Sequence, residues 1–150
     1  MKSLIKKNMK RLIFILALMV SVSLVKAQEV SDKKVPSVIK LAFQQKYPNV
    51  KSVKWEKEKG NYEAGFKDGK INYSVLINAA GHIIETEVGI PAGELPADAK
   101  AYVIKNYSHK NIKEAAKITD ARNNVSYEAE VDGRDLIFDD KGKFLKEVRD

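Results

Sequence analysis

The chain contains no cysteine. That absence excludes disulfides, a thiol nucleophile and a lipid-modified cysteine at a processing site, so the fold must be held by its apolar core. Histidine is almost as scarce: His82 follows a turn glycine and His109 follows a helix end. A zinc centre draws on several His or Cys ligands, and the spacing here supplies no such set. There is no Gly-x-Ser-x-Gly elbow, no phosphate-binding loop and no dinucleotide fingerprint. The sequence therefore predicts a protein that is not an enzyme, with no catalytic residues, no metal and no cofactor. Acidic residues are missing from one region only, the stretch before Gln28, which holds six of the 27 Lys and Arg residues. From Gln28 onward 21 basic residues face 20 acidic ones, so the formal charge of +7 belongs to the first segment. The high pI gives no support to nucleic-acid binding.

That first segment has the parts of an export signal. Basic residues crowd between Lys2 and Arg11, an apolar run follows from Leu12 to about Val25, and Val25-Lys26-Ala27 offers small or apolar residues for processing. The apolar run is shorter than the ~20 residues a membrane-crossing helix needs. Residues 1–27 are expected to be a signal peptide cut after Ala27, leaving no stable membrane anchor and a periplasmic or secreted product. Residues 28–34 are polar and charged, and are expected to be a flexible lead-in.

The remainder is a tandem repeat, over 35–90 and 91–150. Val35, Ile39, Ala42, Phe43 and Tyr47 fall on one face of a helix, and Leu95, Ala99, Tyr102, Val103 and Tyr107 repeat that face 60 residues later. Pro36 and Pro96 suit the first helical position. After each helix the apolar period becomes two. Asp68-Gly69 and Asp132-Gly133 are hairpin signals, because both residue types tolerate positive φ. Placing the first pair at the turn sets Phe66 opposite Ile71, Ala64 opposite Tyr73 and Tyr62 opposite Val75. The second sets Tyr127 opposite Phe138, Ala129 opposite Leu136, Glu128 opposite Ile137 and Glu130 opposite Asp135. The result is an antiparallel sheet with one apolar face, covered by the helices, and one polar face. Tyr62, Tyr73 and Tyr127 fall on the apolar face, whereas no turn fixes the side taken by Trp55.

Phe43…Tyr47-Pro48, Trp55, Tyr62-Glu63-Ala64, Gly81, Leu95-Pro96, Tyr107 and Tyr127-Glu128-Ala129, in this order, resemble the PepSY-like domain family of exported proteins from Bacteroides-type bacteria. The resemblance covers residues 35 to 148. It implies an α+β fold similar to the beta-lactamase inhibitor protein: two units of a helix plus four antiparallel strands, forming one sheet of up to eight strands with both helices on one face. In that inhibitor the open face grips an enzyme. The inhibitor is also disulfide-bonded, which this chain cannot be, so likeness of fold does not carry that activity over.

The polar face is the candidate partner-binding surface. Its residues are Glu63, Lys67, Lys70, Asn72 and Ser74 from the first repeat, and Glu128, Glu130 and Asp135 from the second. The expected partner is a protein or peptide in the envelope or outside the cell, with inhibition or regulation of an envelope enzyme as the role. A small ligand held in a pocket between the repeats is the alternative. Glu85 and Glu87 share one side of a strand and read as surface charge. The 139–142 turn reads as turn chemistry, since the regular acidic steps of a calcium loop are missing.

Overall fold

The structure, a computed structural model, describes residues 28–149. The expected signal peptide and its cut after Ala27 lie outside the described residues. The elements are β1 (Gln28–Val30), α1 (Ser37–Lys46), β2 (Lys54–Glu58), β3 (Asn61–Asp68), β4 (Ile71–Ile77), β5 (Ile83–Gly89), α2 (Ala97–Asn106), β6 (Ile112–Asp120), β7 (Val125–Val131), β8 (Asp135–Asp139) and β9 (Phe144–Val148). The nine strands form one antiparallel sheet in sequence order. The α+β repeat architecture holds, with one strand more than expected. Residues 28–34 are not a flexible lead-in: Gln28–Val30 pairs with β2, and Val30 packs on the first core. Three residues are too few to show a period of two, so the strand left no pattern to read.

The helices begin just after their prolines. Pro36 and Pro96 occupy the N-cap with extended ψ of 143° and 145°, and not the first turn as expected. Their carbonyls accept the first helical bonds, from Lys40 and Lys100. Each helix stops at a tyrosine whose N–H bonds back four residues, Tyr47 to Phe43 and Tyr107 to Val103.

Both expected helix faces pack on the sheet. Val35, Ile39 and Phe43 close over Trp55, Ala64, Phe66, Val75 and Ile77, with Ala42 and Tyr47 at the margin. Leu95, Ala99 and Val103 close over Ala115, Ala129, Val131, Leu136 and Phe138, with Tyr102 and Tyr107 at the margin. Ala64 and Ala129 are fully buried, which lets each helix approach its strands. Trp55 lies in the first core, edge-on to Phe43 at 5.6 Å. The two clusters are separate. On the helix side of the β5–β6 seam, Thr86 stands opposite Thr119 and Val88 opposite the exposed Lys117, so polar side chains divide the cores.

Hairpin chemistry sets the register, and the two Asp-Gly pairs are not equivalent. Asp132 and Gly133 both take positive φ, 56° and 71°, and form the two-residue loop of β7–β8, with the expected pairs on either side. In the first repeat only Gly69 has positive φ, 59°, and the loop is Gly69-Lys70. Asp68 is still a strand residue, opposite Ile71. The pairs are therefore Tyr62–Ile77, Ala64–Val75 and Phe66–Tyr73, two residues away from expectation. A slip of two preserves the faces, because side chains alternate with period two.

Candidate binding face

The side of the sheet away from the helices can be mapped by register. One row runs Glu63, Leu76, Glu85, Asp120. The next runs Ser74, Glu87, Ile118, Ser126, Asp139. A third runs Gly89, Ala116, Glu128, Ile137, Lys146. This face has an apolar floor of its own: Ala116 and Ile118 are buried yet belong to neither helix-side cluster. Around that floor stand carboxylates from five strands.

The carboxylates are held in different ways. The Ser74 hydroxyl donates to Glu63 Oε1 at 2.6 Å. Lys113 donates to Glu130 Oε1 at 2.9 Å. Glu87 makes no ion pair or hydrogen bond among the described residues. Burial in the middle of the sheet, with the nearby Glu63 and Glu85 adding to it, raises its pKa to about 7. Glu85 is also raised by burial, with Lys146 opposing the shift.

The sequence-predicted residues divide into groups. Lys70, Asn72, Ser74 and Glu128 line one groove of about 500 Å³ at the joint between the repeats, together with Glu87 and Ala116. Glu63 joins this group through Ser74. Glu130 and Asp135 face each other across β7–β8, farther out on the same side. Lys67 stands opposite Asn72 but lines a different groove, beside Lys54 and Tyr47. Lys70 sits in the hairpin loop and not on a strand opposite Lys67, because Gly69 takes the first loop position.

Glu87 is the central residue that sequence reasoning passed over. The Glu85–Glu87 alternation was visible, but the isolation of Glu87 comes from the pairing of β5 with β6. The turn at 139–142 is explained without a metal: Asp139 Oδ1 accepts the N–H groups of Lys141 and Lys143 at 3.0 and 2.8 Å. Asn78 and Asp120 cap their turns in the same manner. Among the described residues no group of three His, Asp or Glu could hold a metal ion, and no helix is long and apolar enough to cross a membrane.

A family model described as "Putative beta-lactamase-inhibitor-like, PepSY-like" matches the chain twice, over residues 21–85 and 62–146. No curated protein matches it. Among solved structures, a "putative periplasmic" protein of Bacteroides eggerthii superposes with a TM-score of 0.68 at 16% identity, over 76% of this chain and 88% of the other. A DUF2874 family protein of Bacteroides uniformis gives 0.66 at 15% identity, with the same 76% and 88%. A BLIP-like protein of Bacteroides fragilis gives 0.57 at 21% identity, over 75% and 84%. At these identities the likeness is one of fold.

Proposed function

The chain belongs to the PepSY-like, beta-lactamase-inhibitor-like family, and from that premise we propose that it is an exported, non-enzymatic binding module that holds a protein or peptide on the open face of its sheet. Inhibition or regulation of an envelope enzyme is the role this reading assigns. The observation that carries it is the groove at the repeat joint, on the side the helices leave uncovered, where Ser74 and Glu87 of one repeat meet Ala116 and Glu128 of the other. A buried apolar floor ringed by carboxylates suits a partner that inserts a cationic or amide side chain, with the rim charges steering its approach. Export follows from the amino-terminal segment, and the description of the B. eggerthii neighbour supports the same compartment.

The same groove supports a second reading, a small ligand seated between the repeats. One experiment separates the two. Tagged protein, recovered from the envelope of cells expressing the full chain, is used for affinity capture from envelope and secreted extracts. Beside it run Asn72→Arg, which puts a cation on the groove's exposed rim, and Lys70→Glu. A protein held by the native form and lost by Asn72→Arg supports the open-face reading. A protein held equally by all three overturns it. No captured protein, with thermal stabilisation by a small molecule that Asn72→Arg abolishes, favours the second reading.

A further inference from the structure

A second groove lies across the β3–β4 hairpin from the repeat joint, where α1 and the 48–53 loop meet the end of β3. It encloses about 780 Å³. Four lysines reach it from four different elements: Lys46 from the end of α1, Lys51 from the loop, Lys54 from β2 and Lys67 from β3. Asp68 is the one acid among its lining residues. Its apolar wall is a packed aromatic row, with Tyr47 to Phe66 at 4.9 Å and Phe66 stacked on Tyr73 at 5.0 Å. Lys54 pairs with Glu56, and Lys46 lies 5.9 Å from the centre of the Tyr47 ring. Lys51 and Lys67 are exposed and make no ion pair among the described residues.

The groove exists because a strand stops early. β2 begins at Lys54, opposite Gly65, so residues 66–68 of β3 have no strand partner on that side. No backbone hydrogen bond from the 48–53 loop reaches them. The second repeat is the internal control. There β6 runs on past the counterpart of Lys54, and Ile112 stands opposite Val131, the counterpart of Phe66. The lysines are absent as well: Asn106, Asn111, Glu114 and Asp132 occupy the positions of Lys46, Lys51, Lys54 and Lys67. Neither the gap nor its charge is a by-product of the repeat.

We propose that this groove docks an acidic peptide segment in extended form, which adds to the free edge of β3 in the place that β6 fills in the second repeat. Main-chain hydrogen bonds to residues 66–68 would hold the segment, and its carboxylates would meet Lys51 and Lys67. This surface shares only Tyr73 with the lining of the groove at the repeat joint, and its test reads Lys51, Lys67 and residues 66–68, so its failure and that of the open-face reading are distinguishable.

The test uses isotope-labelled protein from cells expressing the full chain and a capped hexapeptide of alternating valine and glutamate. The expected result is amide shifts centred on residues 66–68 and the 48–53 loop. Joint Lys51→Glu and Lys67→Glu substitution should weaken binding about tenfold or more, with the amide spectrum elsewhere unchanged. Joint Lys51→Gln and Lys67→Gln serves if the reversals disturb folding, and Lys146→Glu should change nothing. Shifts that spare 66–68 overturn the proposal, as does equal binding of a valine–lysine peptide. Inorganic phosphate or phosphatidylglycerol vesicles producing the same shifts with the same dependence on Lys51 and Lys67 would also overturn it, showing an anion site without peptide recognition.

Discussion

Two residues show how position outweighs type. Glu87 is one of many carboxylates, but it makes no ion pair among the described residues, and burial raises its pKa to about 7. The unfolded chain would titrate near the ordinary glutamate value of 4.5. Above pH 7 both states carry the charge and the folded state bears its burial. As pH falls through 7 the folded state takes up a proton first, so stability rises until the unfolded state follows near 4.5. Glu87→Gln should therefore stabilise the protein at pH 8, by on the order of 2 kcal/mol, and make little difference at pH 5. Urea unfolding at both pH values checks this, and an equal effect at both would show that charge burial is not the cause. Gly142 is the second case. Its φ is +91°, and a Cβ there would lie 2.7 Å from the backbone nitrogen of Ala99. Gly133 also has positive φ, 71°, but faces open space. Gly133→Ala should cost about 1 kcal/mol, for the left-handed backbone alone. Gly142→Ala should cost about 3 kcal/mol, because the 139–142 turn must also move off α2. Denaturant midpoints of the two variants give the comparison.

At the scale of elements, the hairpins decide what could be read in advance. Asp132 holds φ +56° in its loop, and Asp68 closes a strand one step earlier. Asp132→Ala should thus lower the melting temperature by about 4 °C, through lost turn preference and the lost ion pair with Lys110. Asp68→Ala should leave it nearly unchanged, and equal shifts would contradict the two assigned loops. This difference explains why the β7–β8 register was legible and the β3–β4 register was displaced. The sequence shows the Asp-Gly pair, but not which of its residues leaves the ladder. The displacement was even, so Tyr62, Ala64 and Phe66 stayed on the core side and Glu63 and Ser74 stayed on the open side. The side of Trp55 was not legible, since it is set by pairing with Ala64 across a turn whose geometry rests on Lys59 and Gly60, both at positive φ. Nor was the setting of Glu87, because β5 and β6 come from different repeats and α2 lies between them in the chain. Lys67 and Lys70 were legible as polar residues but not as members of different grooves, because that separation follows from where β2 begins.

The whole molecule combines one continuous sheet with two cores. The sheet crosses the seam through a ladder from Glu85–Asp120 to Gly89–Ala116, extended by the Ile90 N–H donating to the Ala115 carbonyl. Hydrophobic contact does not cross in the same way, since Thr86, Thr119 and Lys117 occupy the helix side of the seam. The two halves should accordingly share a backbone frame while differing in local stability. Phe138 is fully buried in the second cluster and edge-on to Tyr102, which in turn stacks on Phe144 at 4.5 Å. Phe138→Ala should cost about 3–5 kcal/mol, and the loss should be uneven. Amide exchange should accelerate throughout α2 and β7–β9, while α1 and β2–β4 keep most of their protection, because their cluster around Phe43 and Trp55 is untouched. Phe43→Ala should produce the converse pattern. Uniform acceleration across both repeats would instead mean that the β5–β6 ladder binds the halves into a single cooperative unit. In that case the groove at the repeat joint would be as rigid as either core, and a partner seated there would find its Glu87 and Glu128 walls already fixed in place.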